Sequence, residues 1–294
     1  MNQLNSEWIK FRSLKSNWIV LGIMLLASVV GPGMAAYTTS PFRAEQIAAG
    51  VKITWDYNAT WDTVSNFTQG YIIFAAILVI LMTSQEFHFG TIQVALFTHP
   101  NRIVYYIWRL VFVSIFTVVS YITTTFAGFA AAYIGQRGLV TDQPFFNEFF
   151  EYAGLVYGQV LLTVWLTMLI VAGLVFIFKS STPAILTFFA IYFVIPSVLS
   201  TVFVTSSFSL YLEPEKVTSI PFLLWVIAYL PSTCFDSLTG GLFDNASLIL
   251  KDFTENFNLS FSADQYFITT AVIYSLITLA VISVGCWLFK KRDI

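Results

Sequence analysis

Long apolar runs broken by short polar punctuation dominate the chain, and six of them are predicted to form membrane-crossing helices: residues 18–37, 70–83, 110–134, 152–178, 184–204 and 266–289. The second run needs a few preceding residues to reach across. A seventh run, IPFLLWVIAYLP at 220–231, is bracketed by Pro221 and Pro231 and is too short to span, so it is predicted to be a re-entrant or interfacial helix. The first run follows a basic segment, has no small-residue cleavage site after it, and is read as a retained span. The pattern predicts an all-α integral membrane protein: one membrane domain over 1–294, with no internal repeat, low-complexity tract or soluble module.

Composition agrees. Of 294 residues, 57% are hydrophobic and 10% charged, against about 25% charged in soluble domains. Charge then fixes the topology. With six spans both termini share one side, which holds Lys10, Arg12, Lys15, Arg102, Arg109, Lys179, Lys290, Lys291 and Arg292 against Glu7, Glu86 and Asp293. The other side holds five basic and thirteen acidic residues. The positive-inside rule therefore predicts cytoplasmic termini. It leaves outside a loop of about 30 residues after the first span, a shorter one after the third, and the long region 205–265.

Several chemistries are missing from the sequence. There is no GxxxxGK[ST] phosphate loop, no HExxH and no GxSxG, so neither a catalytic residue nor an ATP or metal site is expected on this chain. The two cysteines, Cys234 and Cys286, support no disulfide framework. No ionisable residue is expected at mid-membrane depth, with Arg109 at the cytoplasmic end of span three, which disfavours proton-coupled transport. Pro196 in span five is read as a tolerated kink rather than a broken-helix ion site.

Two cytoplasmic segments carry the remaining signal. Residues 1–17 are predicted to form an interfacial helix with Leu4, Trp8, Phe11 and Trp18 on one side, Lys10, Arg12 and Lys15 toward anionic lipid, and Glu7 interrupting the apolar face. The second is SQEFHFGTIQVALFTHPNR, 84–102. As a helix it presents a broad apolar surface, with Glu86 near its start and favourable against the macrodipole, and Pro100 ending it.

EWIKFRSLKSNW before the first span, and Glu86, Gly90, Thr91, Pro100 and Arg102 spaced between spans two and three with Arg109 beyond, resemble the permease subunits of bacterial ABC-2-type ABC transporters. YLPSTCFDSL at 229–238 is similar to a Leu-Pro segment preceding their last span. His88 and Phe89 depart from the family's usual basic or small residues there. The resemblance implies a six-span subunit in a bacterial cell membrane, paired with a second permease as homo- or heterodimer and bound to two cytoplasmic ATP-binding subunits. Those partners carry ATP and Mg and perform the hydrolysis. It makes 84–102 a coupling segment, with Glu86, Phe87, Gly90, Thr91, Pro100 and Arg102 as its contact residues. Export of an amphiphilic drug, peptide or lipid-like substrate is expected, and no nucleic-acid partner. A non-transporting assembly or sensory subunit and a sodium-coupled carrier remain open alternatives.

Overall fold

A computed structural model describes residues 3–50, 57–88, 101–136, 145–199, 226, 229–234 and 263–291. These are helical, without strands: α1 Gln3–Ser13, α2 Lys15–Ala48, α3 Tyr57–His88, α4 Arg102–Gln136, α5 Phe145–Phe178, α6 Ser181–Phe189, a π-helical stretch Ala190–Val194, and α7 Ala263–Lys291. Among the described residues, five helices are long and apolar enough to cross a membrane, over Lys15–Met34, Arg102–Gly135, Val160–Phe178, Ser181–Leu199 and Ile268–Lys291; Tyr71–Phe87 is a shorter apolar stretch. That is the make-up of a multi-pass membrane protein. Large apolar side chains such as Ile107, Ile115, Val119 and Phe126 on α4, and Ile268, Val272, Leu276 and Leu279 on α7, stand exposed. Water would penalise such helices and lipid would not.

The helices overrun the expected spans. The loop of about 30 residues expected after span one is largely helical, because α2 continues to Ala48 and α3 already begins at Tyr57. Hydropathy stops at the polar TTSP, but backbone hydrogen bonding does not. Pro32 and Pro41 lie inside α2 without ending it, as membrane helices tolerate. The helix closes where Ala49 N–H donates to Glu45 O at 2.9 Å and Gly50 N–H to Ile47 O at 2.9 Å. Gly50 takes the left-handed conformation there (φ +79°), which a residue without Cβ adopts at no steric cost. At its other end α4 begins earlier than hydropathy predicts: the Asn101 side chain accepts from the N–H groups of Ile103 (3.1 Å) and Val104 (3.4 Å) and so caps the helix.

Backbone contacts group the chain into two compact units, Met1–Leu161 and Leu162–Ile294. In the first, α2, α3 and α4 pack together and α1 lies against α2 and α4. Phe11, Leu78, Met82 and Phe112 form a buried cluster with Val20, Leu21 and Phe116 against it. Further along α4, Tyr71 of α3 hydrogen-bonds the Ser120 hydroxyl at 2.8 Å and stacks edge-on to Tyr121.

In the second unit, α5 and α6 are joined by Lys179 and Ser180 alone. Lys179 adopts the left-handed conformation (φ 56°) that usually falls to glycine after a helix, and its N–H donates to Val175 O at 2.7 Å. Beyond α6, Ile195 N–H donates to Ala190 O, five residues back, so the helix widens by one residue immediately before Pro196. A π-turn at that place absorbs the missing proline donor and the ring's clash with the preceding turn. The helix then runs on to residue 199, in line with the reading of Pro196 as a tolerated kink.

The π-stretch aims Tyr192 at a buried hydroxyl chain. Tyr192 and Tyr274 share a hydrogen bond of 2.6 Å, Tyr274 and Thr167 another of 2.6 Å, and Thr167 donates to Thr163 O at 2.8 Å. Tyr274 and Thr167 are fully buried, so α5, the π-stretch and α7 are joined by neutral groups only. Residues 231–234 make a helical turn in which buried Cys234 N–H donates to Leu230 O at 2.8 Å. Of the expected re-entrant helix, 220–231, only residue 226 and residues 229–231 fall among the described residues, and most of 205–265 lies outside them.

Gly173 lets α5 approach α7. A Cβ there would lie 2.8 Å from Val281 Cγ1 and 3.4 Å from its carbonyl oxygen. Gly173→Ala is expected to cost about 1–3 kcal/mol through forced separation, read as a lower thermal midpoint in detergent. Tyr274→Phe removes the middle of the hydroxyl chain and is expected to cost about 1 kcal/mol, whereas Tyr192→Phe, at the chain's end, costs less by the same measurement.

Candidate functional site

The N-terminal helix ends at a sharp elbow. Leu14 leaves helical geometry (φ −101°, ψ 113°) and α2 starts at Lys15, so the single interfacial helix expected over 1–17 is divided, with Lys15 and Trp18 on α2. A helix leaves its last carbonyls without partners, and here side chains near the elbow supply them. Ser13 Oγ donates to Lys10 O (2.8 Å), Asn17 Nδ2 to Phe11 O (3.1 Å) and Trp18 Nε1 to Arg12 O (3.1 Å). The elbow is thereby a defined joint. Trp8 and Trp18 both contact the Phe11 ring, at centroid distances of 5.6 and 5.8 Å. Both tryptophans remain half-exposed while Phe11 is buried.

The inward face of α1 is not the apolar stripe that periodicity suggests. Glu7 and Phe11 face inward, and Ile9 and Trp8 face out. Glu7 does not interrupt the face; it is the residue that face delivers. Its partner is Arg109, two turns into α4 and buried, whose Nη1 contacts Glu7 Oε2 while its Nη2 donates to the Met82 carbonyl.

Glu86 completes the group. It lies in the last described turn of α3, so the expected position near the start of a new helix is corrected: the helix of the span continues past the predicted end at residue 83. Its compensation comes from cations instead. Lys10 Nζ donates to Glu86 Oε1 at 2.6 Å and to Glu7 Oε1 at 3.0 Å, and Arg109 Nη1 lies 3.6 Å from Glu86 Oε1. Two carboxylates and two cations from three helices thus form one neutral cluster. Arg109, Glu7 and Glu86 are buried, while the Lys10 side chain is 41% exposed and stands at the edge.

Beside the cluster is a cavity of about 200 Å³, lined by residues of α1, the elbow, α3 and α4, including Lys10, Phe11, Asn17, Met82, Glu86 and Arg109. Three buried polar atoms of the lining residues make no hydrogen bond: Glu7 Oε2, whose contact is the ion pair with Arg109, Asn17 Oδ1 and Arg109 Nε.

Of the expected contact residues in 84–102, Glu86 enters the cluster, Phe87 is partly buried in the same turn, and Arg102 opens α4. Gly90, Thr91 and Pro100 lie outside the described residues. Of the N-terminal residues, Lys10 and Phe11 turn inward, Arg12 and Lys15 are exposed, and Trp8 and Trp18 flank the elbow. Glu7, Asn17 and Arg109 are the site residues that sequence reasoning left out of the site. The readable signal was a pair of glutamates among nine basic residues on the expected cytoplasmic side: each had a cation to find. No family model matches the chain, and no curated protein matches it.

Removing one member of a buried ion cluster strands the others. Arg109→Met is expected to cost about 3–5 kcal/mol, and Lys10→Met, at the exposed edge, about 1 kcal/mol or less. Thermal unfolding of the purified variants in detergent checks the order.

Proposed function

We propose that this chain is the membrane-spanning subunit of an ATP-driven transporter of the ABC-2 type, with six spans, cytoplasmic termini, and 84–102 as the segment that receives movement from a separate ATPase. The observation that carries the reading is the double engagement of Glu86, by Lys10 of α1 and by Arg109 of α4, in the first turn of that segment. A displacement of residues 89–100 by a partner would pull on Glu86 first. Through its two cations the pull would reach the N-terminal helix and the helix that follows, so three elements would move together rather than one loop flexing alone.

Hydrolysis belongs to the partner, which carries ATP and Mg, and two such partners serve a pair of permease subunits. Tyr71–Phe87, extended by preceding residues of the same long helix, supplies the sixth crossing. Phe-rich helices whose buried charges are gathered in one neutral cluster, with a hydroxyl network elsewhere, suit an amphiphilic drug, peptide or lipid-like substrate moving outward better than a free ion.

The affinity-tagged chain, purified from its own cells in mild detergent, is expected to bring down a stoichiometric nucleotide-hydrolysing subunit. In the reconstituted complex, Glu86→Gln is expected to lower substrate-stimulated hydrolysis by roughly two- to thirtyfold, the range of a coupling residue. The isolated ATPase would be unaffected. Absence of any ATPase, or stimulation indifferent to Glu86→Gln in a folded complex, defeats the proposal.

A further inference from the structure

The basic residues around the elbow divide into two groups. Lys10 is committed inside the molecule, to Glu7 and Glu86. Arg12 and Lys15 are exposed, and neither makes an ion pair among the described residues. Helix periodicity explains the split: Arg12 shares a side of α1 with Trp8, four residues before it, while Lys10, two residues away, falls on another side. Glu7 is the only acidic residue in 1–34, and it is buried against Arg109. No carboxylate of this stretch opposes an anion on the outer side.

The elbow joins the two exposed cations into one surface. Trp18 Nε1 donates to Arg12 O at 3.1 Å, so the first turn of α2 is held against the end of α1. Phe11 stacks on Trp8 at 5.6 Å and meets Trp18 at 5.8 Å, which gathers two half-exposed indoles around one ring. Lys15 precedes Trp18 by three residues and Ile19 by four, on the same side of α2. Depth then follows from the continuity of that helix. Lys15–Met34 is long and apolar enough to cross a membrane, and its Ile19, Ile23, Leu26 and Val30 stand exposed, as lipid-facing residues do. Lys15 comes about 6 Å of helix before Ile19. With Ile19 in hydrocarbon, Lys15, Trp18 and the Arg12 carbonyl bonded to Trp18 lie at headgroup level, the depth that tryptophan favours.

We infer that the outer side of the elbow, Arg12 and Lys15 together with Trp8 and Trp18, is a docking surface for anionic phospholipid. Arg12 offers a planar fork that suits a phosphate group, and Lys15 a point charge for a second contact. Two uncompensated cations select anionic lipid over phosphatidylcholine, whose own ammonium returns a positive charge to the surface. An acidic protein is the competing partner, and the depth disfavours it: a protein covering Lys15 would have to enter the bilayer beside Ile19. The surface is narrower than the three cations expected from the sequence, since Lys10 belongs to the interior. It also means that α1 is held from two sides, by Glu7 within and by Arg12 without. The inference requires the chain to lie in a membrane and does not require the coupling role.

The test uses the full chain without any ATPase, purified in neutral detergent and titrated with phosphatidylglycerol or phosphatidylcholine of the same acyl chains, with bound lipid resolved by native mass spectrometry. Phosphatidylglycerol is expected to bind at least about fivefold more tightly. Arg12→Gln and Lys15→Gln are each expected to weaken it about fivefold, the order of one juxtamembrane charge, and to leave phosphatidylcholine unchanged. The double glutamine variant then holds one phosphatidylglycerol fewer than the native chain, with its thermal midpoint intact because both side chains are exposed. Arg12→Lys combined with Lys15→Arg keeps both charges and is expected to keep the preference. Equal binding of the two lipids by the native chain overturns the inference. Retention of phosphatidylglycerol untouched by the double glutamine variant also overturns it, and leaves the surface to an acidic protein. Loss of the preference in the charge-preserving variant overturns its electrostatic basis.

Discussion

Arg109 is a permanent charge on a helix otherwise fit for lipid, and much of the first unit can be understood as the means of keeping it there. Removing a guanidinium from water costs several kcal/mol even after relaxation, and hydrocarbon offers nothing in return. The protein answers with the Glu7 carboxylate, the Met82 carbonyl, Glu86 at 3.6 Å and the face of Phe112, 6.0 Å from ring centre to guanidinium carbon. Glu7 can arrive only if α1 folds back against α4. That requires a sharp bend between α1 and α2, which in turn requires Asn17 and Trp18 to satisfy the carbonyls the bend exposes. One buried cation therefore dictates the placement of the N-terminal helix, and the apolar seal of Phe11, Leu78, Met82 and Phe112 excludes the water that would make the arrangement unnecessary.

The second unit handles buried polarity by another route. Thr167, Tyr192 and Tyr274 exchange hydrogen bonds among neutral hydroxyls, each able both to give and to accept, so nothing there incurs the desolvation cost of an ion. Such a chain tolerates displacement, because a hydroxyl can rotate to a new partner while an ion pair cannot change sign. The π-turn sits at the end of this chain, where a local change in helix register reorients Tyr192 at modest cost. Charged and neutral networks thus serve different ends in one molecule: one pins a joint, the other joins three helices around an irregular turn.

Hydropathy made the apolar helices legible, because a run of about 20 apolar residues has few other uses. It misplaced their ends, since what continues α2 past Tyr37 and starts α4 at Arg102 is backbone bonding and the Asn101 cap, neither of which depends on apolar character. The site was half legible. Glu86 and Lys10 stood out as charges in apolar surroundings, but Glu7 read as a flaw in an amphipathic stripe because periodicity assigns every charge to the wet side. Only a partner 102 positions away in sequence, Arg109, reverses that assignment. Asn17 was unreadable for a like reason: its role is to satisfy a carbonyl exposed by a bend that no local pattern announces.

The division of the four charges carries a further consequence. Glu7 and Lys10 lie three residues apart on α1 and pair with each other at 3.0 Å, while Glu86 and Arg109 belong to α3 and α4 and approach to 3.6 Å. A separation of α1 from the bundle would divide the cluster into two pairs that are each internally neutral. No charge would be stranded, so the cost of parting is the lost cross-contacts and the opened apolar seal, well below the 3–5 kcal/mol that an uncompensated buried charge exacts. Had Glu7 and Glu86 shared one element and both cations the other, separation would leave two like-charged faces and the joint would be permanent. The observed distribution makes the N-terminal helix firmly held yet separable.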